Sequence, residues 1–280
     1  MKKKTVFLFL LLAALLLAGC APEPSAPDAA PEPEVTNAPD LRRTDEEFVA
    51  AVGRALQARW DLSAGYMPQE LAAMRPGEYQ DYLRRCVAAE EAELGSILDY
   101  RFLDSELAAL AQQYYYALSL QRGGAEFART DSRQEYNDSW VLGYYYRVSA
   151  LYELSRDFSL RVEDAYAARL TELLSAHYEA KKQIAFHELT VRLPETLVYE
   201  KDPSRSDGSQ ACYVGRIDNT TQYDIKSLSI LVSFLDADGQ ILFQSSDWIS
   251  DLRAGMSARS TVFAADEDYA GMQFSLSIYQ

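Results

Sequence analysis

Histidine and cysteine are scarce in this sequence, two and three residues out of 280. His177 and His187 stand ten apart with no His-Glu-x-x-His pattern, so the helix-borne zinc site that such spacing builds is excluded. No Cys-x-x-Cys pair occurs, which removes the common zinc and dithiol motifs. Asp236-Ala237-Asp238-Gly239 resembles the middle of a calcium loop, but Phe234 and Ser245 stand where an EF-hand needs an acid and a glutamate. A hairpin turn accounts for it better. Gly-x-Ser-x-Gly, phosphate loops and dinucleotide fingerprints are all absent. Positive charge is also short. The net charge is -15, and no Lys/Arg stripe is interleaved with aromatics as a nucleic-acid surface requires. These absences predict no catalytic residue, no metal, no cofactor and no nucleic-acid partner, so a protein that is not an enzyme.

The most specific feature is the N-terminus. Lys2-Lys3-Lys4 precede an apolar run from Val6 to Ala18, shorter than the roughly 20 residues a transmembrane helix needs. It fits a secretory signal. The run ends in Leu17-Ala18-Gly19-Cys20, which resembles the lipobox of bacterial lipoproteins. That resemblance implies removal of residues 1–19, a lipid on Cys20, and residence on the extracytoplasmic face of a cell membrane. Two acyl chains anchor stably where one is marginal. Losing residues 1–19 removes three lysines and leaves 24 basic residues against 42 acids, a net of -18. Residues 21–43 hold six prolines and five acids without hydrophobic period, the composition of a stalk with polyproline character. Cys86 and Cys212 remain. Two separate buried thiols are expected, a disulfide across two domains being the alternative.

From residue 44 the pattern is helical. Thr44-Asp45-Glu46-Glu47 is a capping box, and Phe48, Val52, Leu56 and Trp60 then fall four apart on one stripe. Pro68 and Pro76 can each open a helix. Tyr79, Leu83, Cys86, Val87, Glu90 and Leu94 form the next stripe. Asp104 or Ser105 caps a helix through Leu107, Tyr114 and Leu118. A long helix carries Trp140 to Leu154, and a last one Val162 to Ile184. From Leu189 onward β-branched and alternating residues predict about six strands, beginning with "LTVRLPETLVYE". The fold class expected is α+β: an antiparallel helical bundle over residues 44–187, then a small antiparallel β-sandwich over 188–280.

Gly215, Ile217 and Asn219, Asp236–Gly239 and the turn at Gly255 resemble the FxLYD-type β-sandwich of bacterial surface proteins. Val232, Phe234 and Leu235 replace its signature letters, and Asp236 alone matches. The resemblance spans roughly 211–263 and implies a fold, with no catalytic residue. The helical half is similar in layout to uncharacterised lipoproteins of Gram-positive bacteria.

Aromatics are plentiful, with 19 tyrosines, and they form two triplets, Tyr114-Tyr115-Tyr116 and Tyr144-Tyr145-Tyr146. Successive helix residues point about 100° apart, so a triplet fans over about 200°. Tyr114, Tyr144 and Tyr145 continue core stripes. Tyr116 and Tyr146 do not, and these two are the candidate ligand-binding residues. The triplet centres are symmetric about residue 130, so a hairpin would set them at one height as an aromatic belt. The function expected is a lipid-anchored, non-enzymatic binding or envelope-associated module. Its partners are the membrane, through Cys20, and a protein or small molecule. The alternatives are a small-ligand-binding lipoprotein with a Tyr-lined groove, and a hydrolase of envelope polymers.

Overall fold

A computed structural model describes residues 42–279. The signal segment, Cys20 and the Pro-rich stretch up to residue 41 lie outside them. The first helix, α1 (Asp45–Ala64), starts as the sequence dictates. Thr44 Oγ1 accepts from the Glu47 amide at 3.3 Å, and the Thr44 amide donates to Glu47 Oε2 at 2.6 Å. Phe48, Val52 and Leu56 are fully buried on one face. Pro68 opens α2 (Pro68–Ala73) and Pro76 opens α3 (Pro76–Leu94). Asp104 Oδ1 accepts from the Glu106 and Leu107 amides and starts α4 (Ser105–Gly124).

The next helical stretch is interrupted. It runs as α5 (Arg133–Tyr136), a π-helix over Asn137–Val141, and α6 (Leu142–Asp157). One side of the bundle core joins α1, α3, α4 and α6. Gly143 lets α6 approach α4 closely: a Cβ there would sit 2.7 Å from the Ala117 carbonyl oxygen of α4.

Two sequence expectations are corrected in the following segment. The single helix expected from Val162 to Ile184 is broken into α7 (Ala167–Ser175) and α8 (His177–Thr196), with Val162 ahead of both. The strand expected from Leu189 begins only at Tyr199, because α8 continues through the first part of that stretch to Thr196. Phe186, Leu189, Leu193 and Leu197 recur at helical spacing and are buried together in the sheet core, a gain that local β propensity cannot match. Pro194 lies in the last turn, where its missing N–H forfeits one helical bond.

Six antiparallel strands follow: β1 (Tyr199–Lys201), β2 (Gln210–Asp218), β3 (Ile225–Leu235), β4 (Ile241–Leu252), β5 (Ser257–Ala265) and β6 (Gly271–Tyr279). They form two three-stranded sheets, ordered β1-β2-β5 and β4-β3-β6. The fold is α+β, as the sequence pattern predicts. Asp236–Gly239 is a hairpin turn, with Gly239 at φ +76° and Asp236 Oδ1 accepting from the Asp238 and Gln240 amides. The described residues belong to one compact unit, and the expected boundary at 187/188 falls inside α8. That helix contributes Phe186, Leu189 and Leu193 to the core between the sheets, and Leu197 follows directly after it.

Candidate functional site

The two odd tyrosines meet. Tyr116 on α4 and Tyr146 on α6 pack edge to face with ring centroids 5.4 Å apart, and Gln113 Nε2 donates to the Tyr146 carbonyl at 2.9 Å. Burial, then the neighbouring Glu188 and Tyr116, raise the Tyr146 hydroxyl pKa above its ordinary value. Tyr116 is 49% exposed, and the pair lines none of the larger cavities among the described residues. The other rings divide. Tyr114 is fully buried, as its stripe predicts. Tyr115 stacks on Phe48 at 6.5 Å and donates its hydroxyl to the Gly95 carbonyl. Tyr144 and Tyr145, expected in the core, are only partly buried and pack on each other at 5.6 Å. Val148 and Leu151 of the same helix are fully buried, so the stripe reaches the core only from the second turn of α6 onward.

Glu90 stood on an apolar stripe and is completely buried. Its carboxylate takes Arg147 Nη2 at 2.7 Å and Nε at 3.0 Å, Arg59 Nη1 at 2.8 Å, and the Tyr114 hydroxyl at 2.6 Å. Burial alone would raise this carboxyl's pKa. Arg147 and Arg59 outweigh it and hold the group below the ordinary range. Arg59 also reaches Gln121 Oε1 at 3.2 Å and lies over the Trp140 ring. Every acceptor is occupied and the cluster lines none of the larger cavities among the described residues, so it ties α1, α3, α4 and α6 together. Cys86 and Cys212 are both buried free thiols. No group of three or more potential metal-ligating side chains gathers among the described residues.

The built surface lies on the sheet β4-β3-β6. Side chains alternate across a strand, so the register fixes what its outer face presents. Four rows cross it: Tyr279–Ser227–Ser250, Ser277–Ser229–Trp248, Ser275–Leu231–Ser246 and Gln273–Ser233–Gln244. Seven of these twelve residues are serine, two are glutamine and none is charged, on a chain whose net charge is -15. The strip is about 20 Å long at ~3.4 Å per residue. Trp248 and Tyr279 come from opposite edge strands and stack over the central one, with centroids 5.1 Å apart and planes at 21°. They remain 56% and 51% exposed. Beside them the Ser227 hydroxyl is buried and has no partner. Gln244 Nε2 donates to Ser233 Oγ at 2.9 Å. Sequence reasoning missed this face. Its signal is the alternating serines Ser227, Ser229 and Ser233 of "SLSILVS" and Ser275 and Ser277 of "FSLSIY", which only the register converts into one surface.

No protein-family model matches the chain, and no curated protein matches it. One solved structure aligns, the Pseudomonas fluorescens alkylpurine DNA glycosylase AlkC bound to DNA containing an abasic site analog. The alignment covers 84% of this chain and 96% of that one, at 10% identity and a TM-score of 0.18. The aligned protein is an enzyme on DNA, which runs against the expected non-enzymatic, envelope-associated module without a nucleic-acid partner. A TM-score of 0.18 is no shared fold, and the likeness carries no argument for activity on DNA.

Proposed function

We propose that the chain recognises a neutral polysaccharide through the outer face of β4-β3-β6. The carrying observation is the exposed Trp248–Tyr279 stack on a strip of serines and glutamines without a charge. A sugar ring has an apolar C–H face, which suits an aromatic ring, and a rim of hydroxyls. Serine hydroxyls and glutamine amides each donate and accept, so they answer that rim without selecting charge. Trp and Tyr supply large contact area at low entropic cost. The length of the strip suits an extended chain better than a single ring. In the same reading, Cys20 carries the lipid that holds the protein on the extracytoplasmic face of a membrane, where such polymers are met. Support for this is the Leu17–Cys20 motif.

Electrophoresis through gels containing hydroxyethyl cellulose, mannan or dextran tests the binding. Retardation by at least one polymer, lost in Trp248→Ala, supports the reading. Unchanged mobility in all three gels, or retardation that survives Trp248→Ala and Tyr279→Ala together, refutes it. Labelling cells with a clickable fatty acid tests the anchor separately: label on the wild-type chain and none on Cys20→Ser is expected.

A further inference from the structure

A second site lies at the free edge of β6. There a cleft of about 770 Å³ is lined by four consecutive residues, Leu276 to Tyr279, within the size range of ligand pockets. Their side chains alternate between the sandwich core and the serine face, so a cleft touching all four runs along the strand's backbone edge. In the sheet order β4-β3-β6 that edge has no neighbour. No hydrogen bond among the described residues reaches its outward amides and carbonyls. Such a row is a template for another strand.

The two other walls are helical. Gln183, Phe186, His187 and Thr190 present one face of α8. Gln134, Asn137, Asp138 and Val141 present one face of α5 and the π-helix, and Tyr145 follows from α6. Phe186, Val141 and Tyr145 give an apolar floor. The carboxamides of Gln134, Asn137 and Gln183 match peptide groups, since each can donate and accept. Gln134 and Gln183 already donate to Asp138 and Glu179, which leaves their oxygens as acceptors. Arg133 also lines the cleft, is exposed, and forms no ion pair among the described residues. The π-helix is an element that appears often at functional sites.

We propose that this cleft takes an extended peptide, which adds to β6 as a fourth strand and places a carboxylate against Arg133. Main-chain bonds to β6 supply affinity, and the floor selects alternate side chains. The cleft borders the serine face through Ser277 and Tyr279 but does not include Trp248, so Trp248→Ala separates the two readings.

The purified full chain is incubated with a synthetic library of random hexapeptides. Retained peptides are identified by mass spectrometry after gel filtration, and their affinity is measured by fluorescence anisotropy. Thr190→Trp fills the cleft, with Asn137→Trp as a second filling variant from the opposite wall should the first not fold. The expectation is a retained set that binds at least tenfold more weakly to a folded filling variant, severalfold more weakly to Arg133→Ala, and unchanged to Trp248→Ala. N-methylation of every second amide of a retained peptide abolishes binding, and amide exchange within Leu276 to Ile278 slows when the unmodified peptide is bound. The proposal is overturned if no peptide is retained above the level of a filling variant. It is overturned equally if the N-methylated peptide binds as well as its parent.

Discussion

The Tyr114 hydroxyl donates to Glu90 Oε2 at 2.6 Å, and both side chains are fully buried. One ring of the first tyrosine triplet is therefore spent on a charge inside the bundle. Arg147 and Arg59 complete the shell, so the carboxylate is kept ionised away from water only because all its acceptors are filled.

Breaking that shell from the centre is costly. Glu90→Leu leaves Arg147 buried without an anion and Tyr114 without an acceptor, for a loss of about 3–5 kcal/mol. Replacing Glu90 and Arg147 together by Leu recovers part of the loss, because no unpaired buried charge remains at that position. Urea midpoints of the three proteins test this.

The same carboxyl makes stability depend on pH. Its folded pKa lies below the ordinary glutamate value, so the unfolded chain takes up a proton first as pH falls. The contribution is complete above the ordinary glutamate range. It is lost progressively as pH drops from there towards the folded pKa. Between pH 7 and pH 3 the wild-type stability falls more steeply than that of Glu90→Gln, which starts lower at pH 7. Equal slopes would show that Glu90 titrates alike in both states.

Gly143 holds α6 against α4. A methyl there would stand 2.7 Å from the Ala117 oxygen and 2.8 Å from Gln121 Cγ, and the backbone atom cannot swing away. Gly143→Ala costs about 1–3 kcal/mol by overpacking, despite alanine's better helix propensity. A melting temperature at or above wild type would contradict this contact.

Tyr116 and Tyr146 are coupled to each other more than to the core. A double-mutant cycle with alanine at both positions yields a coupling of about 0.5–1.5 kcal/mol, read from chemical denaturation. A coupling near zero would mean that the edge-to-face pair contributes only its separate burial.

Trp248 separates binding from folding. Its ring is more than half exposed, so Trp248→Ala leaves the melting temperature within a few degrees of wild type. Phe234, fully buried beneath the same sheet, loses about 3–5 kcal/mol on change to Ala. Polysaccharide affinity falls at least tenfold in Trp248→Ala.

Much of the fold was legible because its signals are local. The Thr44 capping box, the prolines opening α2 and α3, the Asp104 cap and the Asp238-Gly239 turn each depend on residues within one turn of chain. The stripe that placed Glu90 towards the core was also legible, since 3.6-residue periodicity ignores what a side chain is. Leu189 to Leu197 misled because β-branched composition and helical spacing coexist there, and only burial against the sandwich chose between them. The π-helix over 137–141 was invisible too, because one residue more per turn leaves no composition mark.

By itself, the sequence determined the α+β order of elements, where most of them begin, and that Tyr116 and Tyr146 belong to no core stripe. The tertiary structure alone decided that these two rings meet, that α8 closes the sandwich, and that serines from three strands make one uncharged face under Trp248 and Tyr279. The physical reason is range. Caps, turns and periodicity act over four residues or so, whereas a sheet face is assembled by register between segments tens of residues apart. A one-residue slip would send every one of those serines to the opposite side.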